Sequence, residues 1–440
     1  MQIPERIQNA LLKLKIQKLN EIQIASMEAN RDHNDVILLA PTGSGKTLAF
    51  LLPILTLLKP NVNQVQTMIL APSRELALQI EQVAKAMGTG YKITCCYGGH
   101  PFKAEKDTLK NPPAIIIGTP GRIADHLRRG TFEIDSLQTL VIDEFDKALE
   151  LGFEEEMSFI IAQLNNLQKR ILTSATKMEV IPDFTGISEL KEINFLQLHN
   201  VPSGLKLKAM RAEGTDKLEA VFRLLCKIGK EATIIFCNHR DAVDRISSIL
   251  NDRGLAHDVF HGGLEQEDRE RALAKFRNGS YRILIATDLA ARGLDIPEIR
   301  NVIHYQLATT GDAYIHRNGR TARMNAEGTS YLILAEEDTL PTYLDSEPEW
   351  EEMPEELELP ENPKWATLYF GGGKKHKISK GDIVGLLIQK GLLLKDDIGL
   401  IEVQDLASFA AVNKTKAHKT VALLRNEKIK KQKVKIDISR

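Results

Sequence analysis

The stretch best suited to chemistry is Ala40-Pro41-Thr42-Gly43-Ser44-Gly45-Lys46-Thr47, which follows the apolar run VILLA and precedes the apolar LAFLLPIL. Its two glycines let the backbone curl until several N–H groups face one point, and the first turn of a following helix adds further donors. Such a cradle suits nucleotide phosphates. Thr42, Gly43, Ser44 and Gly45 would line it, Lys46 would reach the outer phosphates and Thr47 a Mg²⁺ ion. Ala40 takes the place of the first glycine in the general GxxxxGK[ST] pattern. A strand before, a helix after and the closing Lys-Thr still favour nucleotide over a purely structural turn.

A second cluster is Val141-Ile142-Asp143-Glu144-Phe145-Asp146, where an apolar strand runs into carboxylates. Phosphoryl chemistry needs one carboxylate in the metal shell and another beside the attacking water. Asp143 suits the metal and Glu144 the water, close enough to share the Mg²⁺ surroundings with Thr47. The third is His316-Arg317-Asn318-Gly319-Arg320-Thr321-Ala322-Arg323. Arg320 and Arg323 are three apart, so on a helix they would share a face and offer two guanidinium groups to one polyanion. A surface helix with two arginines is the bland alternative.

Stepping from these residues to the elements that carry them, short apolar runs (VILLA, TMILA, AIIIG, TLVID, RILTS) alternate with helical stretches such as RELALQIEQVAKAM. Buried parallel strands joined by helices produce this alternation, which predicts a doubly wound α/β domain over residues 1–200. The cycle restarts with ATIIFCN, HDVFHG, RILIATD, NVIHYQL and TSYLILA, a second α/β domain over 201–343. Residues 345–361 hold nine acids and three prolines with no Lys or Arg, which predicts an extended linker over 344–363. After it, ATLYF, GLIEV, FAAVN and KVKIDI alternate with two helical segments. The order β-α-β-β-α-β fits a small α+β sheet of the RNA-recognition type over 364–440.

The formal charge of −1 conceals an asymmetry. Residues 364–440 carry 17 Lys or Arg against 7 Asp or Glu, which is +10, leaving −11 on everything before them. A basic module on an acidic body fits a polyanion-binding tail, and on charge alone a solvated lysine surface fits equally well. Lys374, Lys375 and Lys377 form one cationic loop and Lys428 and Lys430 open another stretch, while Tyr369, Phe370 and Phe409 are the aromatics available to bases. No apolar run approaches the roughly 18 residues of a membrane span, and the beginning of the chain lacks an uninterrupted apolar stretch, so a cytoplasmic protein is expected. The four cysteines show no CxxC pair and no metal-ligand spacing.

Over residues 1–343 these motifs resemble the DEAD-box RNA helicases of superfamily 2, whose other motifs follow in order. Gln23 resembles the adenine-reading glutamine. Pro72-Ser-Arg74-Glu-Leu-Ala, Gly98-Gly99 and Thr119-Pro-Gly121-Arg122 resemble the elements that grip RNA phosphates. Ser174-Ala-Thr176 resembles the motif that, with Asp146, links hydrolysis to strand separation. In the second half, Phe236, Gln266 with Arg269, Thr287-Asp288, Arg292-Gly293 and the ribose-side Asp295 match further motifs, as do His316 and Arg317. The resemblance implies two RecA-like domains closing as a clamp on ATP, Mg²⁺ and RNA, with Arg320 and Arg323 reaching the γ-phosphate. Phe145 stands where the family has Ala, which predicts an aromatic beside metal and nucleotide. Leu19-Asn20-Glu21 replaces the usual Pro-Thr-Pro, and Asn318 replaces an apolar residue.

Residues 366–440 resemble the C-terminal domain of the DbpA group, in Gly371-Gly-Gly-Lys374-Lys375-His-Lys377, Gly381-Asp-Ile-Val-Gly385, Asp397-Ile-Gly399 and Lys428-Ile-Lys430. In that group the domain recognises a peptidyl-transferase-centre hairpin of 23S ribosomal RNA during large-subunit assembly. The resemblance therefore implies ribosomal RNA and pre-50S particles as partners of a monomer. A nucleotide-gated scaffold silenced by Phe145, and a DNA-remodelling motor, remain open at the level of sequence.

Overall fold

The computed structural model describes residues 4–41, 43–99, 101–178, 180–196, 204–214, 216–290, 299–321, 327–352 and 357–439. They divide into two compact units, the first holding the chain before about residue 203 and the second almost all of the rest.

The first unit is built on seven strands: β1 Asp35–Leu39, β2 Thr67–Leu70, β3 Ile93–Cys96, β4 Ile115–Gly118, β5 Thr139–Ile142, β6 Lys169–Ser174 and β7 Leu190–Asn194. They lie in the order β3-β4-β2-β5-β6-β1-β7, every neighbouring pair parallel. Parallel strands need crossover helices, and those helices cover both faces, so the central strands carry adjacent apolar residues that point to opposite sides. Val141 of β5 and Ile171 of β6 pack into one core with Phe50 and Ile80, while their neighbours Ile142 and Leu172 pack into another with Met157 and Ile160. The single-residue alternation thus divides one sheet between two cores.

The second unit repeats the plan with β8 Leu205–Arg211, β9 Thr233–Cys237, β10 Asp258–Phe260, β11 Ile283–Thr287, β12 Asn301–His304, β13 Gly328–Leu334 and β14 Glu349–Trp350. Their order is β10-β11-β9-β12-β13-β8-β14, again all parallel. Here the linker expectation is corrected. Part of the acidic segment adds β14 to the sheet edge, with Glu349 opposite Lys208 and Trp350 opposite Ala209. Glu351 bonds Lys208 at 2.7 Å and also Lys227. Burial alone would raise the Glu351 carboxyl, but its two lysine partners hold it below the usual range. Acids that repel one another in isolation become an anchor once lysines of the sheet and its helix face them.

The same unit carries a four-stranded antiparallel sheet in the order β16-β17-β15-β20, from β15 Trp365–Phe370, β16 Ile398–Val403, β17 Ser408–Asn413 and β20 Ile436–Ile438. A hairpin of β18 Lys428–Ile429 and β19 Gln432–Lys433 precedes the last strand. Helices Lys380–Gln389 and Lys414–Leu424 cover one face, where Leu368, Phe370, Ala410 and Val412 meet Ile383, Leu387, Ala417 and Leu424. Among the described residues no helix is long and apolar enough to cross a membrane.

Candidate functional site

Strand order gathers the motifs of the first unit. Leu39 of β1 pairs with Ser174 of β6, and β6 pairs with β5, so the loops leaving β1, β5 and β6 emerge side by side at one sheet edge. Those leaving β2, β3 and β4 share that edge. In parallel α/β sheets this carboxyl edge is where ligands bind.

Gly43 and Gly45 take φ of +82° and +92°, the left-handed turn that aims the loop back at helix Lys46–Leu57. The Lys46 ammonium donates to the Ala40 carbonyl at 2.6 Å. Ser44 Oγ is buried and has no hydrogen-bond partner among the described atoms. A buried hydroxyl without a partner is costly unless a ligand satisfies it, so the loop fits phosphate oxygens. Thr47 is half-buried in the first turn of the helix, and Thr42 lies outside the described residues. Asn20 caps helix Glu21–Asp32 in a reciprocal box with Gln23, and its amide donates to the Ser44 carbonyl at 2.9 Å. A Cβ on Gly45 would sit 2.8 Å from Gln23 Nε2, so Gly45 admits the glutamine to the loop. Asn20 thus supplies the cap in this degenerate segment. The Asn-x-x-Gln spacing was its sequence signal.

Asp143 and Glu144 are buried behind this loop. Burial raises the Asp143 carboxyl above its usual range, opposed by the Thr173 hydroxyl, which donates to it, and by Lys46. Thr173 Oγ1 also accepts from the Glu144 amide at 3.1 Å, which makes it a site residue that sequence reasoning passed over next to Ser174. Glu144 has φ +49° and ψ +54°, left-handed backbone that costs a non-glycine residue about 1 kcal/mol or more and turns the chain sharply after the strand. Thr176 Oγ1 donates to Asp146 at 3.0 Å, and Ser174 Oγ receives the Thr176 amide at 3.1 Å, so the two motifs are bonded to each other. The expectation for Phe145 is corrected. The ring is wholly buried in the core beneath β5, 6.3 Å from the Phe184 ring, because the backbone turn at Glu144 sends the next side chain inward.

Among the RNA-type motifs, the Arg74 guanidinium lies over Gly98 and Gly99, where a Cβ on Gly99 would be 2.6 Å from it. Ser73, following Pro72, caps helix Arg74–Ala86 and points it at the same edge. Thr119 precedes helix Pro120–Arg128, and Gly121 faces open space. Arg122 is tied down, donating to the Tyr97 carbonyl and to Glu105, both at 3.2 Å. Glu105 also accepts from the Tyr97 amide at 3.1 Å and meets His126 at 2.8 Å. Cys96 brings the donor atoms of Cys96, Glu105 and His126 within 4.8 Å of one another, and those bonds account for the carboxylate without an ion. No sequence signal singled out Glu105.

In the second unit Arg317 is wholly buried and binds the loops after three strands. It pairs with Asp288 through two bonds of 2.5 and 3.1 Å, and donates to Asn238 and to the Gln306 carbonyl at 2.7 Å each. Asp288, expected at RNA, therefore sits at an arginine-organised junction, next to Thr287 at the end of β11. His304 bonds buried Asn318 at 3.1 Å; burial first, then Arg317, lowers His304 to about 3. The unusual Asn318 is thus matched by a neutral histidine. The shared-helix expectation for Arg320 and Arg323 is corrected: the helix is Gly311–Asn318, and the amides of Arg320 and Thr321 bond the carbonyls of Arg317 and Asn318 in tight turns. Arg320 lies past the helix end and is 2% exposed. Arg292, Gly293, Asp295 and Arg323 lie outside the described residues. Gln266 and Arg269 occupy the first turn of helix Gln266–Arg277.

The two basic stretches of the small domain converge, since Lys430 Nζ donates to the Lys377 carbonyl at 2.6 Å and pairs with Asp382 at 2.9 Å. Lys374, Lys375, Lys377 and Lys428 are exposed around them. Phe370 is wholly buried on the helix side of the sheet and Phe409 is 2% exposed, so neither ring is open to bases.

The chain matches the DEAD/DEAH box helicase family over residues 20–184, the helicase conserved C-terminal domain over 216–325 and the DbpA RNA binding domain over 367–438. It is 33% identical to the ATP-dependent RNA helicase DbpA of Escherichia coli across 96% of both chains. The protein belongs to the DEAD-box ATP-dependent RNA helicases of the DbpA type. The DbpA of Bacillus subtilis is 32% identical over 99% of this helicase and 98% of its own length. Among solved structures it is similar to S. cerevisiae Dbp5 bound to RNA and ADP BeF3, with TM-score 0.67, 27% identity, and coverage of 76% of this chain and 88% of the yeast chain. The helicase is an ATP-using enzyme that binds RNA, built from two RecA-like domains and a small DbpA-type domain.

Proposed function

We propose that this helicase separates short RNA duplexes next to one target, a 23S ribosomal RNA hairpin of the peptidyl-transferase centre, during large-subunit assembly, and works as a cytoplasmic monomer. The observation that carries the target is a DbpA-type domain whose Gly371–Lys377 loop and Lys428–Lys433 hairpin form one exposed lysine surface. Motor contacts fall on RNA backbone through Arg74, Gly98, Gly99, Gln266 and Arg269, so sequence preference comes from the small domain.

In the chemical step, Lys46 and Ser44 hold phosphate oxygens and Glu144 orients the attacking water. Mg²⁺, held by Thr47 and Asp143, would neutralise charge on the phosphates. Arg320 and Arg323 act on that step from the second unit. The Thr176–Asp146 bond passes the state of the nucleotide edge to the RNA side of the same sheet.

RNA-stimulated ATPase activity of the full chain tests the target. A 23S fragment with the hairpin should stimulate at far lower concentration than an unrelated hairpin of equal length. Its apparent affinity should fall with salt at a log-log slope of roughly −0.7 to −0.9 per phosphate neutralised, and Lys374, Lys375 and Lys377 changed together to Ala should make that slope shallower. Equal stimulation by both hairpins at matched salt removes the ribosomal assignment. Stimulation by DNA as strong as by RNA would favour the DNA-motor alternative.

A further inference from the structure

Helix Glu21–Asp32, which presents Gln23 to the phosphate loop from its first turn, buries Gln23, Ser26 and Asn30 at 5%, 0% and 3% exposure. Residues three and four apart share a helix face, and the face turned to a core should be apolar. Polar side chains buried there need partners. Ser26 Oγ donates to the Ala49 carbonyl at 2.7 Å. Ala49 ends the first turn of helix Lys46–Leu57, and four residues further on stands Pro53. Proline has no N–H, so the helix by itself leaves the Ala49 carbonyl without a donor. The Ser26 hydroxyl supplies that bond from the neighbouring helix.

Asn30 fixes the direction of the hydroxyl. Its Nδ2 donates to the Ser26 carbonyl at 2.9 Å and to Ser26 Oγ at 3.2 Å. A carbonyl only accepts, so the amide must face it nitrogen first, and the Ser26 hydroxyl, already accepting, turns its own proton to Ala49. At the far end of the helix the buried Lys169 ammonium, at the start of β6, donates to the Asn30 carbonyl at 2.7 Å and to that of His33. A cation on the last carbonyls also suits the helix dipole. The helix is thus pinned at its start on the phosphate loop through Asn20, at its middle on the phosphate-binding helix and at its end on β6.

We propose that Ser26, oriented by Asn30, is a positioning residue for base selection: it ties the helix that carries Gln23 to the gap Pro53 opens in the phosphate-binding helix, so that base reader and phosphate cradle keep one spacing. Leu19 and Glu21 stand where prolines would stiffen the entry to the helix, which leaves that spacing to the buried bonds. A hydroxyl whose acceptor and donor partners are both fixed demands one placement of the two helices, a demand that apolar packing alone would not make. The consequence for the reaction is selective. A shift of the Gln23 helix alters what the base meets while the loop of Gly43, Gly45 and Lys46 still receives the phosphates. The inference rests on Gln23 reading the adenine.

The test measures, on the full chain, the affinities of methylanthraniloyl-labelled ADP and GDP, the KM and kcat of RNA-stimulated ATP hydrolysis, and the melting midpoint. Ser26→Ala should weaken ADP and raise KM for ATP by about three- to tenfold, the weight of one net hydrogen bond, while GDP affinity and kcat stay within about twofold and the midpoint falls. Pro53→Ala returns an N–H to the phosphate-binding helix. Combined with Ser26→Ala it should recover the midpoint, because the Ala49 carbonyl is bonded again, and should not recover the preference for ADP over GDP, because the two helices remain unlinked. The double variant carries the test even where the single is too unstable to assay. Recovery of the preference together with the midpoint overturns the proposal, since Ser26 would then only satisfy a carbonyl. Gln23→Ala should erase the preference in the parent chain. Its survival there overturns adenine reading and the proposal with it, whereas a preference lost in Gln23→Ala and intact in Ser26→Ala overturns the positioning role and leaves the adenine reading in place.

Discussion

Replacing Phe145 by Ala restores the residue usual in the family, and the structure assigns the outcome to stability. The ring is fully buried and lies among Ile142, Met157, Ile160 and Leu172. Removing a phenyl from such a site costs about 3–5 kcal/mol, because apolar contacts are lost and the neighbours only partly fill the space. Against a domain stability of about 5–15 kcal/mol that is a large fraction. For a unit of this size each kcal/mol moves the midpoint by about 2–4 °C, so Phe145→Ala should melt about 6–20 °C lower. Thermal unfolding followed by circular dichroism reads the shift, and RNA-stimulated ATPase measured well below the midpoint reads the site. Turnover per folded molecule should stay within about twofold, since Asp143 and Glu144 keep their bonds to Thr173. An unchanged midpoint with altered turnover would refute the reasoning, because it would put the ring beside the nucleotide.

Glu144→Gln should abolish ATP hydrolysis while leaving ATP and RNA binding, seen as a long-lived RNA complex; near-normal hydrolysis would remove Glu144 from the water. Arg320→Lys keeps charge and loses the planar fork, so turnover should drop by up to about 10³–10⁵ if it serves as an arginine finger, with the melting midpoint tested alongside since the side chain is buried. Unchanged turnover would deny it that role. His304 titrates near 3 in the fold against 6.5 when free, so it stays neutral while the unfolded chain gains a proton. Its contribution is complete above pH 6.5 and lost as pH falls toward 3, about 2 kcal/mol of it between pH 8 and 5. His304→Gln should flatten that part of the stability profile, and an unaltered profile would assign the acid sensitivity elsewhere.

Much of this protein was legible in one dimension because its motifs are local. The strands VILLA, TLVID and RILTS carry adjacent apolar residues on both faces since both faces are covered, and each ends in its motif, so strand, turn and chemistry adjoin in sequence. The strands β3, β7 and β8 were missed for the opposite reason: Ile93–Cys96 and Leu190–Asn194 are edges, and Leu205–Arg211 alternates lysine with apolar residues. Tertiary structure alone decided that Phe145 turns inward, since a left-handed φ at Glu144 is not written in the letters DEFD. It alone decided that Glu105 clamps Arg122 and that Asn318 finds His304, partners 17 and 14 residues apart. The acidic segment looked like a linker because sequence displays its self-repulsion and hides the lysines of β8 that receive it. Composition likewise showed a +10 tail on a −11 body. A half-buried ion pair between them runs the other way, Arg277 to Glu402 at 3.2 Å, because packing geometry and hydrogen-bond satisfaction choose individual partners where net charge sets only the long-range field.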